Sequence, residues 1–150
     1  MRIVIGYDGS QSADAAVREV VERAWPAGTE VRLVTAVPSV IAPPAAGGVE
    51  YYAPVWEKAR AVAREQALGR ILKVLESFKG RHDLVTSYEL RDEEPKVALV
   101  EAAREWKADL MILGSQGTSA LGRLFVGSVC HAMVSHAPCS VEVVRAPLAA

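Results

Sequence analysis

The feature that most constrains this chain is an alternation of short apolar runs with helical patterns along its whole length. Ile3-Val4-Ile5 is a buried-strand run that breaks at Gly6 and at the Asp8-Gly9-Ser10 turn. Ala13, Ala16, Val17, Val20, Val21 and Ala24 then recur at i, i+3, i+4, i+7, i+8 and i+11, which is one face of a helix. Ser10 suits its N-cap, and Pro26-Ala27-Gly28 ends it. Strands separated by helices need crossover connections, so the pattern predicts an α/β fold: a doubly wound parallel sheet with helices on both faces.

The rest of the chain repeats the unit. A second strand is expected over residues 31–37, followed by a Pro/Gly-rich, apolar loop over 38–53 that regular structure does not accommodate. A long helix is expected over 54–78, with Pro54 in its first turn and Ala59, Val62, Leu68, Leu72 and Leu75 on its core face. The strand over 84–90 carries Thr86, Ser87 and Glu89, a polarity that suits a sheet edge. Asp92-Glu93-Glu94-Pro95 opens a helix that ends near Trp106. Leu110-Met111-Ile112-Leu113 is wholly apolar and reads as a central strand. A glycine-bearing loop over 114–127, a helix over 128–136 stopped by Pro138, and a last strand over 141–145 complete a single domain spanning 1–150.

Composition removes several functions. Half of the 150 residues are hydrophobic (51%) and 23% are charged, a globular balance. Lys+Arg of 17 against Asp+Glu of 18 leaves a net charge of -1 and no basic stripe, which argues against nucleic-acid partners and a polybasic membrane anchor. The apolar run at the N-terminus is too short for a signal peptide, and no run suffices for a membrane span, so a cytoplasmic location is expected. Two cysteines, Cys130 and Cys139, imply no disulfide framework.

In doubly wound sheets, ligands sit beyond the strand C-termini where the strand order reverses. If the first and fourth strands are the central neighbours, Asp8-Gly9-Ser10 and the loop after Gly114 face one ligand. That loop reads Gly114-Ser115-Gln116-Gly117, nine residues, then Gly127-Ser128. Glycines allow close backbone approach to a phosphate, and the free N–H groups of Ser128 and Val129 at a helix start would face an anion. The Ser115 and Ser128 hydroxyls add donors. A glycine turn with a helix cap that binds nothing has the same spacing, and spacing alone does not choose. Arg123-Leu124 stands where a P-loop needs Lys and Ser/Thr, and no G-x-G-x-x-G follows a strand. Arg123 reads first as a solvated loop cation and second as a phosphate contact.

These residues give the chain its resemblance to a known family. Ile3-Val4-Ile5-Gly6-Tyr7-Asp8-Gly9-Ser10, the complete G-2x-G-9x-G-[S/T] pattern ending in Gly127-Ser128-Val129, and Ala137-Pro138-Cys139 before a Val-rich strand resemble the universal stress protein family over the full length. The resemblance implies a Rossmann-like five-stranded parallel sheet of order 3-2-1-4-5. It implies ATP binding, with ADP or AMP as other occupants and Mg2+ accompanying the phosphates. By the same resemblance Asp8 contacts the adenosine, with Ser10 in the same loop, and Ala36 and Val37 meet the adenine. Gly114, Ser115 and Gly117 carry the ribose and phosphates, and Gly127, Ser128 and Val129 hold the phosphate tail. Two residues depart from the pattern: Tyr7 is bulky and would crowd or stack on the base, and Ala36 is small and widens the adenine slot. Asp8 alone is a poor Mg2+ site.

Other features read first as structure. Cys130, His131, His136 and Cys139 lack the spacing of a zinc site, His82 stands alone in a polar loop, and Trp25, Trp56 and Trp106 read as packing residues. The last strand would leave an apolar edge. Pairing with a second copy through Val141 and Val143 would cover it, as the resemblance also implies, and a C-terminal tail folded over the strand is the alternative. Three functions follow: an ATP-binding regulatory module in a stress response with an unidentified protein partner, a slow ATPase acting as a timer, or a nucleotide-free dimeric scaffold. No general base stands out beside the phosphate loop, so at most weak hydrolysis is expected. The loop over 38–53 is expected to act as a lid, with Tyr51 or Tyr52 closing on the ligand or on a partner.

Overall fold

A computed structural model describes residues 1–37, 49–118 and 126–146, with the backbone alone for 49–54. Strand β1 (Arg2–Gly6) leads into helix α1 (Gln11–Glu22) and β2 (Thr29–Ala36). Helix α2 (Val49–Leu75) is followed by a 3-10 turn (Glu76–Phe78), β3 (Leu84–Arg91), α3 (Pro95–Glu105), β4 (Leu110–Gly114), α4 (Ser128–His136) and β5 (Ser140–Val144). The five strands form one parallel sheet of order β3-β2-β1-β4-β5. The order reverses between β1 and β4, where Ile5 pairs with Ile112 and Gly6 with Leu113.

Alternation along the central strands builds two cores. Ile3, Ile5, Leu33 and Ile112 point to the face covered by α1 and α2, where they meet Ala16, Val20 and Ile71. Val4, Val34, Met111 and Leu113 point to the face covered by α3 and α4, where they meet Leu99, Ala102, Cys130 and Met133. Strands buried on both faces have to be apolar at every position, which explains the uninterrupted runs of β1 and β4. The polar strand β3 lies at one edge, as its sequence suggests, and β5 at the other.

Local signals place the helix ends. The Ser10 hydroxyl caps α1 by accepting from the Ala13 N–H at 3.1 Å. Glu94 is the N-cap of α3 with Pro95 in the first turn, where a missing N–H costs nothing. At the far end of α1, Arg23 donates to both carboxylate oxygens of Glu142, at 2.8 and 2.6 Å, and ties the helix to β5. Trp25 packs against the first core, and its indole N–H donates to the Val20 carbonyl. Trp106 packs on the second core with the Arg32 guanidinium over its ring at 4.3 Å.

Helix α2 departs from its expected form in two ways. It begins at Val49, so residues 49–53 belong to the helix and Pro54 lies inside it. Among its described side chains the buried ones are Ala67 and Ile71, continued by the partly buried Val74 and Leu75. Ala59, Val62 and Leu72 are exposed, Val62 by 45% and Leu72 by 48%. Apolar residues occur around the whole circumference of α2, so periodicity does not mark the face, and packing against the sheet selects it. Residues 38–48 of the lid expected over 38–53, the Tyr51 and Tyr52 side chains, Arg123, and residues 147–150 of the expected shielding tail lie outside the described residues. Among the described residues no helix is long and apolar enough to cross a membrane.

Candidate functional site

At the C-terminal ends of β1, β2 and β4 the sheet opens into a cavity of about 600 Å3, within the size range of small-molecule sites. Much of its polar lining comes from the two loops singled out in the sequence. Its apolar lining is Val34, Ala36, Pro95, Leu99 and Leu113.

Asp8 joins the two loops. One carboxylate oxygen accepts the Ser10 N–H at 3.0 Å and the other accepts the Thr118 N–H at 3.0 Å. Ser10 reinforces the link, because its hydroxyl donates to the Gln116 carbonyl at 3.1 Å while it caps α1. Gly9 makes the turn between them with a φ of +81, a conformation that favours glycine.

The three glycines of the motif do different work. Gly114 passes α1 so closely that an added Cβ would lie 2.3 Å from the Ser12 carbonyl carbon and 2.5 Å from the Ala13 nitrogen. At Gly117 a Cβ would meet an Asp8 carboxylate oxygen at 2.9 Å. At Gly127 a Cβ would make only ordinary contacts, the nearest with the Ser115 carbonyl oxygen at 3.5 Å. The Gly127 N–H donates to that carbonyl at 2.8 Å, which closes the loop back on its start.

Helix α4 then begins at the cavity. The His131 N–H donates to the Gly127 carbonyl, so the amides of Ser128, Val129 and Cys130 precede the first helical bond and have no partner within the helix. All three residues line the cavity. Exposed amides at the positive end of a helix attract an anion. Cys130 donates its Sγ–H to the Gly114 carbonyl at 2.7 Å. Burial, and then the Asp8 charge, push its pKa upward, so it is a thiol at neutral pH and a packing group.

Of the residues expected in the site, Asp8, Ser10, Ala36, Gly114, Gly117, Gly127, Ser128 and Val129 line the cavity together. Ser115 and Val37 are buried beside it. The Ser115 N–H donates to the Val144 carbonyl, and the Val37 N–H donates to the Arg91 carbonyl. Tyr7 also lines the cavity, but its side chain packs in the core under α1 and α2, where its hydroxyl donates to Asp14 at 2.8 Å. Burial, then the Asp14 bond, hold its pKa far above the ordinary tyrosine value. Arg70 of α2 also lines the cavity, and no pattern in the sequence marks it. It belongs to no motif, and only the face chosen by α2 brings it to the site.

The universal stress protein family model matches residues 1–145. A universal stress protein of Thermus aquaticus is 30% identical over 148 residues, covering 95% of this chain and 97% of the relative. Among solved structures, a universal stress protein of Lactobacillus plantarum superposes with a TM-score of 0.77 at 23% identity, covering 97% of each chain. A universal stress protein family member of Arabidopsis thaliana, solved with AMP bound, gives a TM-score of 0.69 at 14% identity, covering 99% of this chain and 93% of its own. Family model, relatives and topology agree: this chain belongs to the universal stress protein family.

Proposed function

We propose that this chain binds an adenine nucleotide, ATP foremost, in the cavity between the Asp8 and Gly114 loops, and that occupancy makes it a nucleotide-dependent regulatory module of the stress response. The observation that carries the reading is the start of helix α4, where Ser128, Val129 and Cys130, whose amides have no partner within the helix, line a cavity of about 600 Å3 that Val34, Ala36 and Leu99 also line. A phosphate suits the amides, and a base suits Val34, Ala36 and Leu99. The AMP held by the Arabidopsis relative supports the adenine assignment. Among the described lining residues, Asp8 is the sole carboxylate, and both its oxygens already accept amide hydrogens. Mg2+ would therefore arrive coordinated by the phosphates and water.

Calorimetric titration with ATP, ADP and AMP tests this. Binding by the wild type, and its loss in Gly117→Val with circular dichroism unchanged, is the expected result. A variant that binds as the wild type does would overturn the phosphate site.

We also propose a homodimer through the edge strand β5, in the region of Val141 and Val143, since an edge strand invites pairing across a two-fold axis. Sedimentation of wild type and Val143→Pro checks it, and a monomeric wild type overturns it.

A further inference from the structure

The glycine motif leaves one charge in the cavity unexplained. Arg70 lines it from α2, on the side opposite the Pro95 and Leu99 wall. Its stem crosses the bare α-carbon of Gly9: a Cβ there would stand 2.9 Å from Arg70 Cδ and 3.3 Å from Nε. Gly9 thus provides both the tight turn and the passage for the side chain. Arg60 and Arg64, earlier on the same helix, are both paired with Asp92 at 2.9 and 3.1 Å. Arg70 forms no ion pair among the described residues.

The neighbouring charges give this cation a task. Asp8 faces the same cavity beside Gly117 and would repel a phosphate placed there. The helix-start amides attract an anion, but they carry only partial charge. A guanidinium supplies a full charge and a planar fork of donors matched to phosphate oxygens. We propose that Arg70 is a specificity-determining residue, donating to a phosphate oxygen so that the cavity selects a charged nucleotide over its nucleoside. The proposal rests on the adenine-nucleotide reading above and adds to it the group that recognises the ligand's charge.

Titrating wild type, Arg70→Gln, Arg70→Lys and Arg64→Gln with ATP and with adenosine tests it. Arg70→Gln is expected to weaken ATP binding about tenfold, or about 1.4 kcal/mol, and to leave adenosine binding unchanged. Arg70→Lys should recover part of the loss, and Arg64→Gln should behave as wild type. Added salt should weaken ATP binding more in the wild type than in Arg70→Gln. Equal ATP affinity in wild type and Arg70→Gln overturns the proposal. So does an equal loss for ATP and adenosine, which would make Arg70 a packing residue. In both cases the wild type still binds nucleotide and the underlying reading stands. A wild type that binds neither compound overturns that reading, and this proposal with it.

Discussion

Alanine substitutions at Gly114 and Gly127 should have very different effects, although the two residues belong to one motif. In Gly114→Ala the new methyl would lie 2.3 to 2.5 Å from three backbone atoms of Ser12 and Ala13. Carbon atoms settle at about 3.5 to 4.0 Å, so the first turn of α1 would have to retreat by about 1 Å or more. That turn is pinned by the Ser10 cap and by the Asp14 N–H donating to the Ser10 carbonyl. Behind it stand Ala13, Ala16 and Val20, all fully or nearly buried. Backbone cannot swing aside as a side-chain tip can. The cost therefore falls at the upper end for overpacking, about 3 kcal/mol, or a fall in Tm of about 6–12 °C in a domain of this size. In Gly127→Ala the methyl meets the Ser115 carbonyl oxygen at 3.5 Å, an ordinary contact, and the backbone is at φ -61. Only a weaker N-cap is left to count, below about 1 kcal/mol. Urea unfolding followed by far-ultraviolet circular dichroism measures both. A difference between the two variants smaller than about 1 kcal/mol would refute the claim that Gly114 is required for helix packing.

Ile71→Ala should destabilise the protein by about 2–5 kcal/mol, whereas Val62→Gln on the exposed face of α2 should stay within about 0.5 kcal/mol; urea unfolding checks both. Asp8→Asn replaces two carboxylate acceptors with one amide oxygen, so faster hydrogen exchange is expected at the Ser10 or Thr118 amide, with no change in β4. Tyr7 titrates above its ordinary value of 10.0 when folded, so the unfolded chain loses this proton first as pH rises. Its contribution is present below pH 10 and declines above it at about 1.4 kcal/mol per pH unit. Tyr7→Phe should therefore flatten the alkaline fall in stability, after losing about 1 kcal/mol at neutral pH with the Asp14 bond.

The sequence by itself determined the fold class and pointed to the two loops that line the candidate site. Apolar runs such as Ile3-Val4-Ile5 and Leu110-Met111-Ile112-Leu113 are long enough only for strands, and strands buried on both faces belong to a parallel sheet. Ser10, Pro95 and Gly127-Ser128 mark helix starts through local chemistry that needs no tertiary contact. Given β1 and β4 as neighbours, the glycine loop and Asp8 had to share one crevice.

Tertiary structure decided what depends on distance between elements. Apolar and charged residues alternate around the circumference of α2, so only docking on the sheet chose Ala67 and Ile71 for burial. That rotation also carried Arg70 across Gly9 into the cavity. Glycines that look alike in the motif separated by their neighbours: Gly114 against the α1 backbone, Gly117 against a carboxylate, Gly127 with only ordinary van der Waals contacts. The spacing of a motif fixes where the chain turns. What each residue touches is set by close packing between segments distant in sequence, and no local pattern encodes it.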